Sequence, residues 1–358
     1  MAEIQMRRDD VRTMRVVPGE PRAEAVGEGE VQLALDRFGL TANNVTYAVF
    51  GDAMSYWKFF PAEQEGWGRV PVWGFADVVA SGVEDVAVGE RYYGFFPMSS
   101  HFSVHASVGG PGLVDVAEHR RELPAIYNDY VRTPADAERL DETILLRPLF
   151  GTAFLLESFL RAEGWFGGET VVVSSASSKT AYALAFLLSR APDSPSVVGL
   201  TSSRNREFVE SLGVYSRVVA YDDVGSALAE GGSVVFVDIA GDLAVRSAVH
   251  NATADRLRHS AVVGASHWQS LSTSGAGSLP GPRPQFFFAP TALERLRSDV
   301  GPREVVRLMD EAWDAFLAQV GDWLEISRDE GPEAIERVWQ QLVDGGVDPR
   351  QGFVLRLE

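Results

Sequence analysis

Three valines, Val171-Val172-Val173, run into Ser174-Ser175-Ala176-Ser177-Ser178-Lys179-Thr180 and then into an alanine-rich segment, Ala181 to Leu188. An apolar strand, a tight loop of small residues and a helix form the layout of a nucleotide-phosphate loop, because a helix N-terminus offers unpaired amides and a partial positive charge. In dinucleotide-binding turns, glycines let the backbone approach the pyrophosphate; here serine and alanine stand in their places. The chain's 32 basic residues include just two lysines, Lys58 and Lys179. A cation at a helix N-terminus is disfavoured by the helix dipole unless an anion offsets it. Lys179 therefore reads as a phosphate contact, with Ser175, Ser177, Ser178 and Thr180 around it, and the chain as a divergent dinucleotide-binding protein.

At 358 residues the chain exceeds what one hydrophobic core usually supports, so two domains are expected. Its formal charge of −18 is spread along the sequence, which argues against nucleic acid or an anionic membrane as partner and calls for a local positive site if the ligand is anionic. The absence of cysteine removes disulfides, thiolate nucleophiles and cysteine-based zinc sites. The histidines (101, 105, 119, 250, 259, 267) lack metal-ligand spacing, so no metal is expected. Residues 1–15 are polar and charged, and no uninterrupted apolar run reaches the roughly 18 residues of a membrane span. A cytoplasmic location is the simplest expectation.

Up to about residue 106, short segments punctuated by glycine and proline predict strands at 30–38, 70–80 and 92–96. The stretch 105–141 reads as loop-rich. From Leu146 the period changes. Helix is predicted at 150–161, strand at 171–173, helix at 180–189, strand at 196–200, helix at 205–212 and strand at 218–221. A short helix near 224–229, strand 233–238, helix 243–254 and strand 260–264 follow. Such alternation means a parallel sheet wrapped by helices. A strand at 285–288 and helices at 292–298 and 303–320 precede strand 323–327, helix 332–343 and a terminal strand at 353–357.

The order of a β-rich segment, a parallel nucleotide domain and a returning tail resembles the medium-chain dehydrogenase/reductase superfamily, especially its zinc-free quinone-oxidoreductase branch. The residues that carry the resemblance are Val72-Trp73-Gly74-Phe75-Ala76-Asp77-Val78-Val79, Val88-Gly89-Glu90-Arg91-Tyr92, Thr170 to Ala181, Thr201 to Gly213, Val234 to Gly241 and Gly352-Phe353-Val354-Leu355. More closely, the chain is similar to bacterial proteins grouped as a domain of unknown function. The resemblance implies an α/β fold: a Rossmann-type doubly wound parallel sheet at 149–321 and a β-rich GroES-like substrate domain from 1–148 and 322–358. It also implies that two copies pair through the sheet edge. The departures are specific. The glycine fingerprint falls on Ala176, Ser178 and Ala181, and the zinc-binding Gly-His-Glu is replaced by Gly74-Phe75-Ala76.

About 20 residues past the loop, an acidic side chain would grip a ribose 2′-hydroxyl, whereas arginine accommodates a 2′-phosphate. Thr201-Ser202-Ser203-Arg204 stands there, which favours NADP(H), with Thr201, Ser203 and Arg204 as contacts; the alternative is a serine helix cap. Tyr221 and Gly264, at the predicted ends of two further strands, join the cofactor set because ligands of such sheets lie at the strands' carboxyl ends. His267, just beyond Gly264, is a candidate acid. Tyr56, Trp57, Lys58, Phe59, Phe60 and Trp73 form an aromatic group with the other lysine, which suits an apolar carbonyl or enone as small-molecule substrate. Tyr47 or Tyr56 would protonate or polarise it. Tyr47 is expected in a strand, with Asn44 at a polar position, and Tyr127, Asn128 and Tyr130 are candidates to cap the site. A P-loop is the rival reading of Ser178-Lys179-Thr180, with Asp238 positioning a metal. Two others keep the fold for redox-neutral chemistry or for ligand binding without catalysis.

Overall fold

Alternating apolar side chains and closely spaced turns make the first part of the chain a succession of antiparallel strands. The computed structural model describes residues 1–110, 112–263 and 279–358. It divides into two units, Met1–Leu146 with Leu324–Glu358, and Arg147–Trp323. In the first unit β1 (Ala2–Arg7) pairs with β2 (Met14–Pro18) and buries Ile4 and Met6, so the polar N-terminus still contributes to a core. Next come β3 (Glu30–Leu40), α1 (Ala42–Val49), a 3-10 turn at Tyr56–Lys58, β4 (Trp67–Gly68) and β5 (Pro71–Ser81). The strands β6 (Arg91–Pro97), β7 (His101–Gly109), β8 (Gly112–Asp115) and β9 (Asp129–Thr133) follow. The order β3-β5-β6-β9-β8-β7, with β7 pairing back onto β3, closes a six-stranded barrel. Closure leaves these six strands without an open edge. Gly74 is required at a close approach inside it, since a Cβ there would stand 2.4 Å from the Arg37 carbonyl oxygen.

The stretch expected to be loop-rich, 105–141, thus supplies the end of β7, the whole of β8 and β9 and the start of a helix. Its strands are short and half exposed, which hides their alternation. A second difference is α1: Thr41 caps it, accepting from the Asn43 amide, while the Asn44 side chain returns to the Thr41 amide. That reciprocal cap stabilises a helix where Val45 and Thr46 favoured a strand reading.

The helix α2 (Leu140–Ala162) starts in the first unit and continues into the second; it begins ten residues earlier than expected and runs through Pro148, which costs the helix one backbone hydrogen bond. By length and mean hydropathy α2 could cross a membrane, although most of its apolar window is buried in the fold. Then come β10 (Thr170–Val173), α3 (Lys179–Arg190), β11 (Ser196–Thr201), α4 (Arg206–Ser211), β12 (Arg217–Ala220) and α5 (Val224–Ala227). The unit continues with β13 (Val234–Asp238), α6 (Leu243–Thr253), β14 (Leu257–Val262), β15 (Gln285–Phe286), α7 (Ala289–Val300) and α8 (Pro302–Val320). The sheet is parallel throughout, in the order β12-β11-β10-β13-β14-β15. Its central strands are apolar on both faces, as a sheet covered on both sides requires. Each fully buried valine of β10 contributes about 1.5–3 kcal/mol.

The chain then returns to the first unit through β16 (Glu325–Glu330), α9 (Pro332–Asp344) and β17 (Gln351–Arg356). β17 runs antiparallel to β3 and parallel to β16. Asp36 accepts from Arg37, Arg91 and Arg356, and Asp141 from Arg37 and Arg328, so two carboxylates tie this tail to the barrel strands.

Candidate functional site

In the order 3-2-1-4-5-6, β10 and β13 are the neighbours whose connections leave in opposite directions, and a ligand of such a sheet sits beyond their carboxyl ends. Both tips are polar. The Ser174 hydroxyl donates to Asp238 Oδ1 at 2.9 Å and accepts from the amides of Ile239 and Ala240. Asp238 also accepts from the Gly241 amide and, at 2.7–2.8 Å, from Arg246 Nε and Nη2. Asp238 and Arg246 are both buried. With both oxygens engaged by protein donors, Asp238 is not placed to position a metal, the role the P-loop reading gives it.

The serine loop adopts the required turn without glycine. Ser175 takes the left-handed conformation, φ 54°, at a cost of roughly 1–2 kcal/mol for an L-residue. Three side chains hold it there: the Tyr221 hydroxyl accepts from the Ser175 amide at 3.0 Å, the Tyr215 hydroxyl donates to the Ala176 carbonyl at 2.9 Å, and Asn205 Nδ2 donates to Ser177 Oγ at 3.1 Å. The Ala176 methyl fits because its neighbour on β11 is Gly199, where a Cβ would lie 2.9 Å away. The space for the loop's Ala176 is thus provided by a glycine on the facing strand.

Ser178 is the N-cap of α3, accepting from the Ala181 amide. Lys179 and Thr180 begin the helix, and Ser175, Ser177, Ser178, Lys179 and Thr180 are all half-buried. Beyond β11, Thr201 is buried at the strand end, while Ser203 and Arg204 are exposed on a 3-10 turn, and no described carboxylate pairs with Arg204. Tyr221 is placed at the loop, but its hydroxyl bonds the protein's own backbone. Burial raises its phenol above the ordinary value, more than the Ser175 amide lowers it. Gly264 and His267 lie outside the described residues.

The first unit holds the second cluster. Tyr47 lies on α1 rather than in a strand; it and Tyr56 are buried, their ring centroids 4.5 Å apart. Phe95 approaches Tyr47 edge-on at 5.5 Å and packs against Trp73 and Tyr127 at 5.1 and 4.7 Å. Tyr127 therefore joins the aromatic group, whereas Asn128 and Tyr130 are buried in the barrel. Asn128 accepts from Arg120, and the Arg120 guanidinium lies 4.4 Å from the Phe60 ring centre and pairs with Asp115. Lys58 is exposed, while Tyr56, Trp57, Phe59 and Phe60 turn inward, so the structure separates the lysine from its aromatic neighbours. Asn44 is structural: besides capping α1 it donates to the Pro71 carbonyl at 2.9 Å. The residue missed by sequence reasoning is Asn43, whose Nδ2 donates to the Tyr47 hydroxyl at 2.7 Å. Its i,i+4 spacing to Tyr47 was the available signal once the segment is taken as helical. Among the described residues no group of three acidic or histidine side chains is placed to hold a metal.

A closed barrel joined to a parallel sheet of this order is the fold of the medium-chain dehydrogenases/reductases. Solved structures agree across the whole chain. CurA from Vibrio vulnificus in complex with NADPH superposes with a TM-score of 0.65 at 13% identity, covering 100% of this chain and 99% of that one. The quinone oxidoreductase from Coxiella burnetii gives 0.56 at 15%, and the CurK enoyl reductase 0.58 at 14%, each with the same coverage of both chains. No curated protein matches the sequence. Residues 38–348 match the family described as protein of unknown function, DUF2855, and the chain belongs to that family.

Proposed function

We propose that the protein is an NADP(H)-dependent, zinc-free reductase of a small or medium carbonyl, quinone or activated alkene. The observation that carries the reading is the phosphate end of the parallel sheet: a half-buried lysine opens the helix after β10, and an exposed arginine stands just past β11. Lys179, Ser178 and Thr180 would hold the pyrophosphate, and Ser203 and Arg204 the 2′-phosphate. The NADPH-bound relative is consistent with the fold's capacity for such a cofactor. When bound, the cofactor supplies a hydride. The protein's part is to bind and orient it, exclude water and polarise the acceptor oxygen. Tyr47 or Tyr56 would do the last.

Calorimetric titration with NADPH and NADH tests this, repeated on Lys179→Ala and Arg204→Ala. Tighter binding of NADPH, with the preference lost in Arg204→Ala, is the expected outcome. Heat from neither cofactor removes the proposal. A second reading, a redox-neutral or purely binding role, is favoured by the loop's self-satisfaction, since Tyr221 occupies the Ser175 amide and Ser174 those of Ile239 and Ala240. Pairing of two copies belongs to the same proposal; sedimentation at the monomer mass of 39.0 kDa would refute it.

A further inference from the structure

The hydroxyl of Tyr47 has an unusual set of partners. It accepts from Asn43 Nδ2 at 2.7 Å and from Trp73 Nε1 at 3.4 Å. An indole N–H can only donate, and a phenol oxygen that has accepted two N–H groups retains one function, donation of its own proton. In both of its hydrogen bonds among the described residues the Tyr47 hydroxyl is the acceptor. Tyr56 differs, because its hydroxyl faces that of Tyr127. Burial pushes the Tyr47 phenol well above its ordinary value, so it stays protonated across the physiological range. The two donors, Asn43 and Trp73, and the neighbouring Tyr127 are each partly exposed, whereas Tyr47 itself is buried.

We infer that Asn43 and Trp73 are positioning residues that fix Tyr47 as a dedicated hydrogen-bond donor to a planar, conjugated oxyanion held against Trp73, Phe95 and Tyr127. The class this selects is an aromatic or conjugated carbonyl whose reduction places negative charge on oxygen, an enolate or a hydroquinone anion. That substrate class rests on the reductase reading; the oxyanion site itself does not. Tyr47 hydrogen-bonds the charge rather than surrendering its proton, because a buried tyrosinate is disfavoured.

The probe is 4-nitrophenolate, a flat ring bearing an oxyanion, titrated by its absorbance into the intact protein at a pH where it is ionised. Saturable binding is expected, weakened roughly tenfold to a hundredfold by Tyr47→Phe, as for a lost hydrogen bond to a charged group. Asn43→Asp should weaken it as much, since a carboxylate accepts the tyrosine proton that the amide leaves available. Trp73→Phe keeps a ring, removes the N–H and should weaken binding less than Tyr47→Phe does. An acidic residue in the first turn of α1 suits the helix dipole, so Asn43→Asp should fold, and thermal unfolding checks this. No saturable binding, or unchanged binding by either Tyr47→Phe or Asn43→Asp, overturns the inference. NADPH titration is a separate arm: loss of NADPH binding with this nitrophenolate pattern intact removes the reductase and leaves the oxyanion site.

Discussion

Asp238 has no exposed surface and is paired with Arg246, itself 1% exposed. Replacing Arg246 by alanine strands a buried carboxylate, a loss of about 3–5 kcal/mol. The expected result is a much lower urea midpoint for Arg246→Ala, and a milder change when Arg246→Met is combined with Asp238→Asn. Equal midpoints for the wild type and Arg246→Ala would contradict the pairing. A second residue-scale prediction concerns Gly199. Gly199→Ala brings two methyls within 2.9 Å and should cost about 1–3 kcal/mol, with part recovered by adding Ala176→Gly. Recovery stays partial because the Tyr215 ring is equally near. Of these details, the sequence showed small residues at the turn and an aspartate at the strand end. It did not show which amides Tyr221 and Ser174 take, because such bonds join residues far apart in the chain. Arg246 was legible in principle: it shares with Val249, His250 and Thr253 the i, i+3, i+4, i+7 face that α6 buries, and a cation on an inward face needs a partner.

Between α2 and β10 the chain makes a left-handed turn, with positive φ at Gly164, Trp165, Phe166 and Gly167. The Phe166 ring lies flat on the ring of His259 in β14, 3.9 Å between centroids and 2° between planes. Burial lowers the affinity of His259 for a proton, against a smaller opposing effect of Glu163; burial does the same for His250, which bonds the Pro280 carbonyl and Ser260 Oγ. With folded values below the unfolded value near 6.5, the unfolded chain binds more protons just below that pH. The stabilisation is therefore full above about pH 6.5 and falls as the pH drops from there towards the folded values. Urea unfolding of the wild type at a series of pH values should show this decline, and His259→Gln should flatten part of it. A profile indifferent to the substitution would place the pH dependence elsewhere. At the element scale, the parallel half was readable almost strand for strand, because buried β-branched runs alternate with helical periods. The barrel half was not: α1 depends on a reciprocal cap, and β8 and β9 show little alternation because they are short and partly exposed.

The two units give the functional reading a test that neither site alone provides. The chain carries −18 charges, and an anionic dinucleotide must overcome that field through local cations and helix amides. A ligand bound to one folded unit stabilises that unit, by about 2.7 kcal/mol at a hundred times its dissociation constant. For a unit the size of Arg147–Trp323, each kcal/mol moves the transition by about 2–4 °C. NADPH at that excess should therefore raise one calorimetric transition by about 5–10 °C, with Lys179→Ala and Arg204→Ala reducing the rise. 4-Nitrophenolate should raise a transition whose response Tyr47→Phe and Asn43→Asp both reduce. Two ligands whose effects are abolished by substitutions in different units would support a division of labour, cofactor phosphates on the parallel sheet and acceptor oxygen on the barrel unit. If NADPH moves neither transition while the phenolate does, the serine loop has given up the dinucleotide. Its internal bonds to Tyr221, Tyr215 and Asn205 would then be the reason the turn persists without a ligand.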